Sequence, residues 1–566
     1  MALVIFNLII FSNSIKNEFV WDDIVLIENN NLIKNTKNLK TLLTKEDASP
    51  FSAGTGYYRP LINLTYMLDY QLHGGKPSGY RLTNIAFHIL CAIMLFFLAL
   101  LITKDRTLSL IAALIFSAQA VHVEAVTFIS GRNNVVCALF SLISLYYYIK
   151  NATENKHYHF NLSLLFLFLA AASKEFAFML PLIFILYDYS FKPDFSFKKN
   201  LKKYVGLFTP VICFLILKAI LVPFGNSANL HTPTLFRRLI TTLPIMVKYM
   251  ASQIAPCRLG IYTDMPLIES FFNIKVIGSL VFLILIIALA IKYRKKERLI
   301  FFALISYFIL LIPVFNIIRI PNAMMADRWL YPASALFAIL IARVLSLVCK
   351  KNRTIIFIVA LLFVSSLSYA TIKRNHVFKN NLQLFEDAIK KNPNSAQIEN
   401  NLGMVYKLAG DLDEAEKHYL LAIENNPNYF IPYSNLGSLY GSKKDNEKAL
   451  EYFNKAFELE PNDAILANNV AISFMLLGNA DASIKYFEIA TTLHPELYQS
   501  YFYMAEIFYL EERYDEAVDA INTLLKLSEN EEDIKQAQRF FRKILAQKFG
   551  KHKPKRRAPA PPKETP

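Results

Sequence analysis

The pattern of apolar and polar positions changes character near residue 373. Before it, long apolar runs are separated by short polar loops; after it, apolar residues recur at helical spacing and prolines stand at 393, 427, 461 and 495. A span needs about 20 apolar residues, or fewer when neighbours shield it. On that basis the pattern predicts eleven spans, at 2–12, 82–103, 107–121, 133–149, 159–173, 175–190, 204–222, 272–292, 299–316, 328–348 and 354–372. The stretch 236–255 is apolar but broken by arginines and a proline, and is expected to lie at the interface or re-enter the membrane.

The proline spacing of 34 residues is a repeat period. Units beginning at 396, 430, 464 and 498 place Gly403, Tyr406, Ala415, Tyr419 and Ala422 in register with Gly437, Tyr440, Ala449, Phe453 and Ala456. Small residues where two helices cross, with aromatics filling the gap, are tetratricopeptide positions. The third unit (Ala471, Phe474, Phe487, Ala490) and the fourth (Ala505, Phe508, Ala517) are degenerate, and Phe385, Ala388 and Pro393 form a half-unit ahead of them. The fold class expected is therefore all-α. A membrane domain over 1–373 leads into a half-repeat connector (374–395), repeats (396–531), a capping helix (532–549) and a disordered basic tail (550–566).

Composition agrees with this division. A chain of 566 residues that is 54% hydrophobic, with mean hydropathy +0.30, is too apolar for an ordinary soluble protein. The net charge of +16 sits in short loops and in the tail, a distribution that reads as topology signal and lipid-headgroup contact and not as a nucleic-acid surface. Eleven spans put the basic loops at 104–106, 150–156, 192–203, 292–298 and 350–353 on one side, the cytoplasmic one. The first polar loop (13–81) and the repeats then lie on the outer side. The first apolar run lacks a basic leader and a cleavage site and reads as an anchor or clipped span. The five cysteines show neither a disulfide framework nor metal-ligand spacing, so no metal site is expected, although a divalent-ion requirement stays open.

Candidate chemistry lies on the outer side, where charge near a bilayer is costly and seldom idle. Asp22 and Asp23 follow the first span in FVWDD, and mutual repulsion of adjacent carboxylates would raise one of them to act as a general base. YYRPL presents Arg59, GYRLTNIAFH presents Arg81, Asn84 and His88, and VHVEAVTFISGRNN presents His122, Glu124 and Arg132; SKE follows at 173–175 and DRWLYPAS at 327–334. Carboxylates with several guanidinium groups suit a lipid-linked phosphate and a sugar, because arginine pairs with phosphate bidentately. In the repeats, Asn401, Asn435 and Asn469 recur at one position of successive units and would line a groove for an extended peptide.

In their order, these motifs and the repeats that follow them resemble the transmembrane and tetratricopeptide-repeat O-mannosyltransferases, of the GT-C class of polyprenyl-phosphate-sugar-dependent glycosyltransferases. The resemblance runs to about residue 530. It implies transfer of a sugar from a polyprenyl or dolichyl monophosphate to Ser or Thr hydroxyls on the extracytoplasmic side. It implies an acidic base in the first outer loop, here Asp22 or Asp23 with a slight preference for Asp23, and a second acidic position at Glu124. It places Arg132, Lys174 and Arg328 near the lipid phosphate; Arg59, Arg81, His88, His122 and Glu175, read from the motifs themselves, are expected as further substrate contacts. Where the family carries His-Pro before its VH-x-E element, this chain has Gln119-Ala120. The partners expected are a lipid-linked sugar, an acceptor polypeptide in the repeat groove and membrane lipids, in a bacterial or archaeal cytoplasmic membrane or the endoplasmic reticulum. A microbial source, for which the sugar need not be mannose, is suggested by the Asn- and Lys-rich composition. The alternatives are a glycan or lipid acceptor, or a scaffold whose repeats recruit envelope proteins; a transporter would need ionisable groups at mid-span and inverted repeats.

Overall fold

In the computed structural model the residues described are 1–44, 58–221, 234–257, 259–261, 267–317, 324–349, 352–528 and 531–550. Among them every regular element is helical. The chain divides into two compact units, Met1–Pro393 and Asn394–Pro566; the tail expected to be disordered lies outside the described residues.

Among the described residues of the first unit, six helices are long and apolar enough to cross a membrane: Pro77–Thr103, Ile129–Glu154, Leu201–Leu221, Ile274–Tyr293, Asp327–Val348 and Arg353–Phe378. A seventh is reached if Arg106–Ala118 and Ala120–Val126, bent by 51° at Gln119, form one broken span. The other expected spans appear as shorter apolar helices at Ala2–Ser14, His157–Ala171 and Arg298–Val314, and as Leu180–Phe191. Helix Ile274–Tyr293 leaves Val281, Phe282, Ile284, Leu285 and Leu289 exposed. Such a continuous apolar face is stable only against lipid or protein, and with its companions it makes the chain an integral membrane protein. The interrupted segment 236–255 is one helix, Leu235–Ile254, with Pro244 inside it.

Local rules set the helix ends. Pro60 and Pro77 stand at first helical positions, where the missing N–H costs nothing. Lys104 closes Pro77–Thr103 in the left-handed conformation, φ 57°, and Asp105 then caps the next helix by accepting from the Thr107 and Leu108 N–H groups. Helices Pro77–Thr103, Arg106–Ala118, Arg132–Glu154 and Tyr331–Val348 pack on one another around a buried core. The half-repeat helix Asn381–Lys391 belongs to this unit as well. Arg374 Nη1 and Lys391 Nζ both donate to the Leu259 carbonyl, at 2.7 and 2.6 Å.

The second unit is built from the helix pairs Ala396–Ala409/Leu412–Asn425, Phe430–Ser442/Asn446–Leu459, Ala464–Leu476/Ala480–Leu493 and Tyr498–Leu510/Tyr514–Leu527, followed by Glu531–Gly550. Each second helix of the first three pairs is capped by a side chain, Asp411, Asp445 or Asn479, accepting from the N–H three residues on. In all four pairs the turn before the second helix passes through positive φ, at Gly410, Lys444, Gly478 and Glu512. Both features recur every 34 residues. A Cβ at Gly403 would come within 2.6 Å of the Tyr419 ring, and one at Gly437 within 2.8 Å of Phe453. The glycines are therefore required by the close approach of the paired helices.

Candidate active site

Residues 120–132 turn three times in quick succession (Ala120–His122, Val123–Val126, Ile129–Gly131) before the helix Arg132–Glu154 begins. Gly131 allows this, since a Cβ there would sit 2.4 Å from the Glu124 carbonyl oxygen. The turns bury Glu124 completely. Its carboxylate accepts from the Arg328 backbone N–H at 3.0 Å and, through the other oxygen, from the Arg328 guanidinium. That guanidinium also lies over the Trp21 ring, 5.6 Å from its centre. Trp21 is held at φ 51° immediately before the two aspartates.

The aspartates differ sharply. Asp23 is fully buried; one oxygen accepts from the Ser130 N–H at 2.7 Å and the Ser130 hydroxyl at 2.6 Å, the other from the Val20 N–H at 3.3 Å. Burial pushes its carboxyl up to about 6 in spite of these bonds and of Arg81. Asp22 is only partly buried. Its carboxyl is also raised, chiefly by burial, tempered by the charge of Arg328 and reinforced by that of Glu124. Asp22, Glu124 and Arg328 thus share one electrostatic neighbourhood.

Beside them Lys174 Nζ donates to Asn134 Oδ1 at 2.6 Å and lies 5.3 Å from the Phe176 ring centre. Burial and the nearby guanidiniums of Arg59 and Arg328 hold its ammonium well below the usual lysine range. Arg59 also pairs with Glu175 at 3.6 Å.

Four of the expected substrate contacts, Arg81, Arg132, His88 and His122, are buried and bonded to partners within the protein. Arg81 is fully buried and donates to the Asn17, Glu18 and Thr127 carbonyls. Arg132 is equally buried; it pairs with Asp69 at 2.5 Å and donates to Asn84, Thr65 and the Tyr80 carbonyl. His88 and His122 sit among Phe116 and Tyr331, bonded at 2.6 Å to the Tyr331 hydroxyl and at 2.7 Å to Ser334. Gln119 donates to the Gln253 carbonyl at 2.9 Å. In the repeats Asn401, Asn435 and Asn469 are partly exposed. Asn435 donates to Asn400 at 2.8 Å, and Asn469 lines a cavity of about 190 Å3 with Gly437, Phe453 and Ile472. Among the described residues no group of three or more His, Cys, Asp or Glu is placed to hold a metal ion.

Residues 59–218 match the family model for dolichyl-phosphate-mannose-protein mannosyltransferase, and 395–460, 434–497 and 471–532 match tetratricopeptide-repeat models. A protein O-mannosyl-transferase of Caenorhabditis elegans is 26% identical over 444 residues, covering 75% of this chain and 62% of its own. Protein O-mannosyl-transferase TMTC3 of Mus musculus is 24% identical over 453 residues, covering 72% and 49%. The chain is a relative of these O-mannosyl-transferases. It spans between about half and three-fifths of their length. Over a shorter stretch of 165 residues, 26% of this chain and 22% of the other, it is 33% identical to protein O-mannosyl-transferase TMTC4 of Homo sapiens. Among solved structures the crystal structure of MamA matches at 19% identity, covering 26% of this chain and 85% of that one, with a TM-score of 0.25.

Some site residues escaped the sequence reading. Trp21 and the Asn133-Asn134 pair stand inside quoted motifs, so a polar or aromatic residue flanking a candidate charge was the available signal. Ser130 had no signal, because its bonds to Asp23 are made across a separation of 107 residues.

Proposed function

We propose that the protein is an inverting membrane glycosyltransferase that moves mannose, or a similar hexose, from a polyprenyl- or dolichyl-phosphate donor to Ser or Thr hydroxyls of a polypeptide. The observation that carries this reading is the grouping of a partly exposed Asp22 with the Glu124–Arg328 pair, in a chain related to O-mannosyl-transferases. Asp22 is the base: unlike Asp23, its carboxylate is not engaged by the Ser130 donors. It takes the proton of the acceptor hydroxyl as that oxygen bonds to the sugar C1 and the bond from C1 to the phosphate oxygen breaks. Arg328, oriented by Glu124, and the neighbouring Arg59 and Lys174 meet the charge that grows on the departing lipid phosphate. Burial is the main cause of the depressed ammonium of Lys174 and the charges of Arg59 and Arg328 add to it, so a phosphate anion beside them would favour its charged form. The loop charges support a reaction on the extracytoplasmic face, and the tetratricopeptide-repeat matches support an acceptor groove in the repeats.

The test is transfer by the purified full chain in lipid vesicles, given polyprenyl-phosphate [3H]mannose and Ser/Thr-containing polypeptides. The reading predicts label in an O-glycosidic bond with inverted configuration. No transfer to protein, with label passing to a glycan or lipid, would replace the acceptor class.

A further inference from the structure

Trp21 has φ 51°, a conformation that a bulky L-residue adopts only where its surroundings impose it. Its ring stacks on Phe128, with centres 5.5 Å apart and planes at 15°, and Phe128 in turn lies 6.2 Å from Phe378. Its N–H donates to the side-chain oxygen of Asn381 at 2.7 Å. Asn381 begins the helix that follows the last candidate span, 360 residues along the chain from Trp21. The same two segments run alongside each other before this point. Asn13 and Asn17 donate to the Ile372 and Asn375 carbonyls, and the Glu18 N–H donates to the Lys379 carbonyl, all at 2.9 Å. Those three acceptors are backbone oxygens, which a substitution leaves in place. At Trp21 the acceptor is a side chain, one residue away from Asp22.

We propose that Asn381 is a positioning residue for the transfer: by accepting the Trp21 N–H it fixes the left-handed turn that sets Asp22 beside Glu124 and Arg328. This rests on the reading of Asp22 as the base. Without the bond, Trp21 relaxes toward ordinary φ and the following carboxylate loses its fixed direction, while Arg328 gives up its contact with the Trp21 ring but keeps its bonds to Glu124, and Lys174 keeps its bond to Asn134. The defect should therefore fall on turnover and not on donor binding.

Asn381→Ala, Asn381→Asp and the parent full chain are compared in vesicles with polyprenyl-phosphate [3H]mannose. Asp keeps an acceptor oxygen at the start of a helix, where it is well tolerated. The expected result is a fall in kcat of tenfold or more for Asn381→Ala with the donor KM within twofold, and recovery of most of kcat in Asn381→Asp. A second readout uses the fact that the chain has two tryptophans, Trp21 and Trp329. In a Trp329→Phe background acrylamide quenching reports Trp21 alone, and it should rise in Asn381→Ala and stay low in Asn381→Asp. If the alanine protein does not fold, Asn381→Ser, whose side chain is shorter, takes its place. Equal kcat in the alanine (or serine) and aspartate variants, or unchanged quenching, overturns the proposal. Full activity in Asp22→Asn would instead remove the base, while the quenching arm would still read the contact.

Discussion

At the scale of single residues, the two adjacent aspartates show how identical side chains acquire different chemistry. Asp23 is raised to about 6 from 3.8, so the folded state holds its proton more tightly than the unfolded chain. Its contribution is present in full below about pH 4 and is lost as pH rises through 6. The wild type should lose roughly 3 kcal/mol relative to Asp23→Asn across that window, since a tenfold change in proton affinity is worth about 1.4 kcal/mol. Melting temperatures of the two proteins at pH 4 and pH 7 measure it. Asp22, also raised, must be ionised to act, so kcat/KM should fall on acidification through a value above 3.8. Replacing Arg328 by Gln removes the cation that tempers the rise, and the acid limb of the profile should move to higher pH. The sequence brought both aspartates into view but could not separate them, because the difference is made by Ser130, 107 residues away. The partners of Arg81 and Arg132 were out of view for the same reason. As letters the two arginines match phosphate ligands, whereas backbone carbonyls and Asp69 consume their donors.

At the scale of elements, two tight approaches carry sharp expectations. Ala at Gly131 would press on the Glu124 carbonyl, so Gly131→Ala should displace Glu124 and Arg328, lowering turnover at least tenfold at a stability cost of about 1–3 kcal/mol. Turnover and melting temperature of the one variant check both. In the repeats, Lys444 occupies at φ 64° the turn position that Gly410 and Gly478 fill elsewhere. Because the left-handed region costs a non-glycine residue about 1–2 kcal/mol, Lys444→Gly should slow local amide exchange in 430–459 and leave transfer chemistry unchanged. Periodicity made the helix pairs legible, as the 34-residue step repeats contacts between near neighbours. The membrane part was less so. Against eleven expected spans, six helices among the described residues have the length and composition to cross alone, since shielded helices need fewer apolar residues than an isolated one.

At the scale of the whole molecule, a lipid-embedded unit that carries the candidate chemistry is joined to a repeat unit with its own core. If the repeats supply acceptor binding alone, a chain ending at Pro393 should still transfer to a short Ser/Thr peptide, with an acceptor KM raised tenfold or more for a long polypeptide. The decisive experiment replaces Asp22 and Asp23 separately by Asn and measures initial rates of mannose transfer from polyprenyl-phosphate mannose at pH 7. Asp22→Asn should lose at least a hundredfold in kcat, with donor binding retained, while Asp23→Asn keeps its rate within about tenfold. Full activity in Asp22→Asn would contradict the assignment of Asp22 as the base.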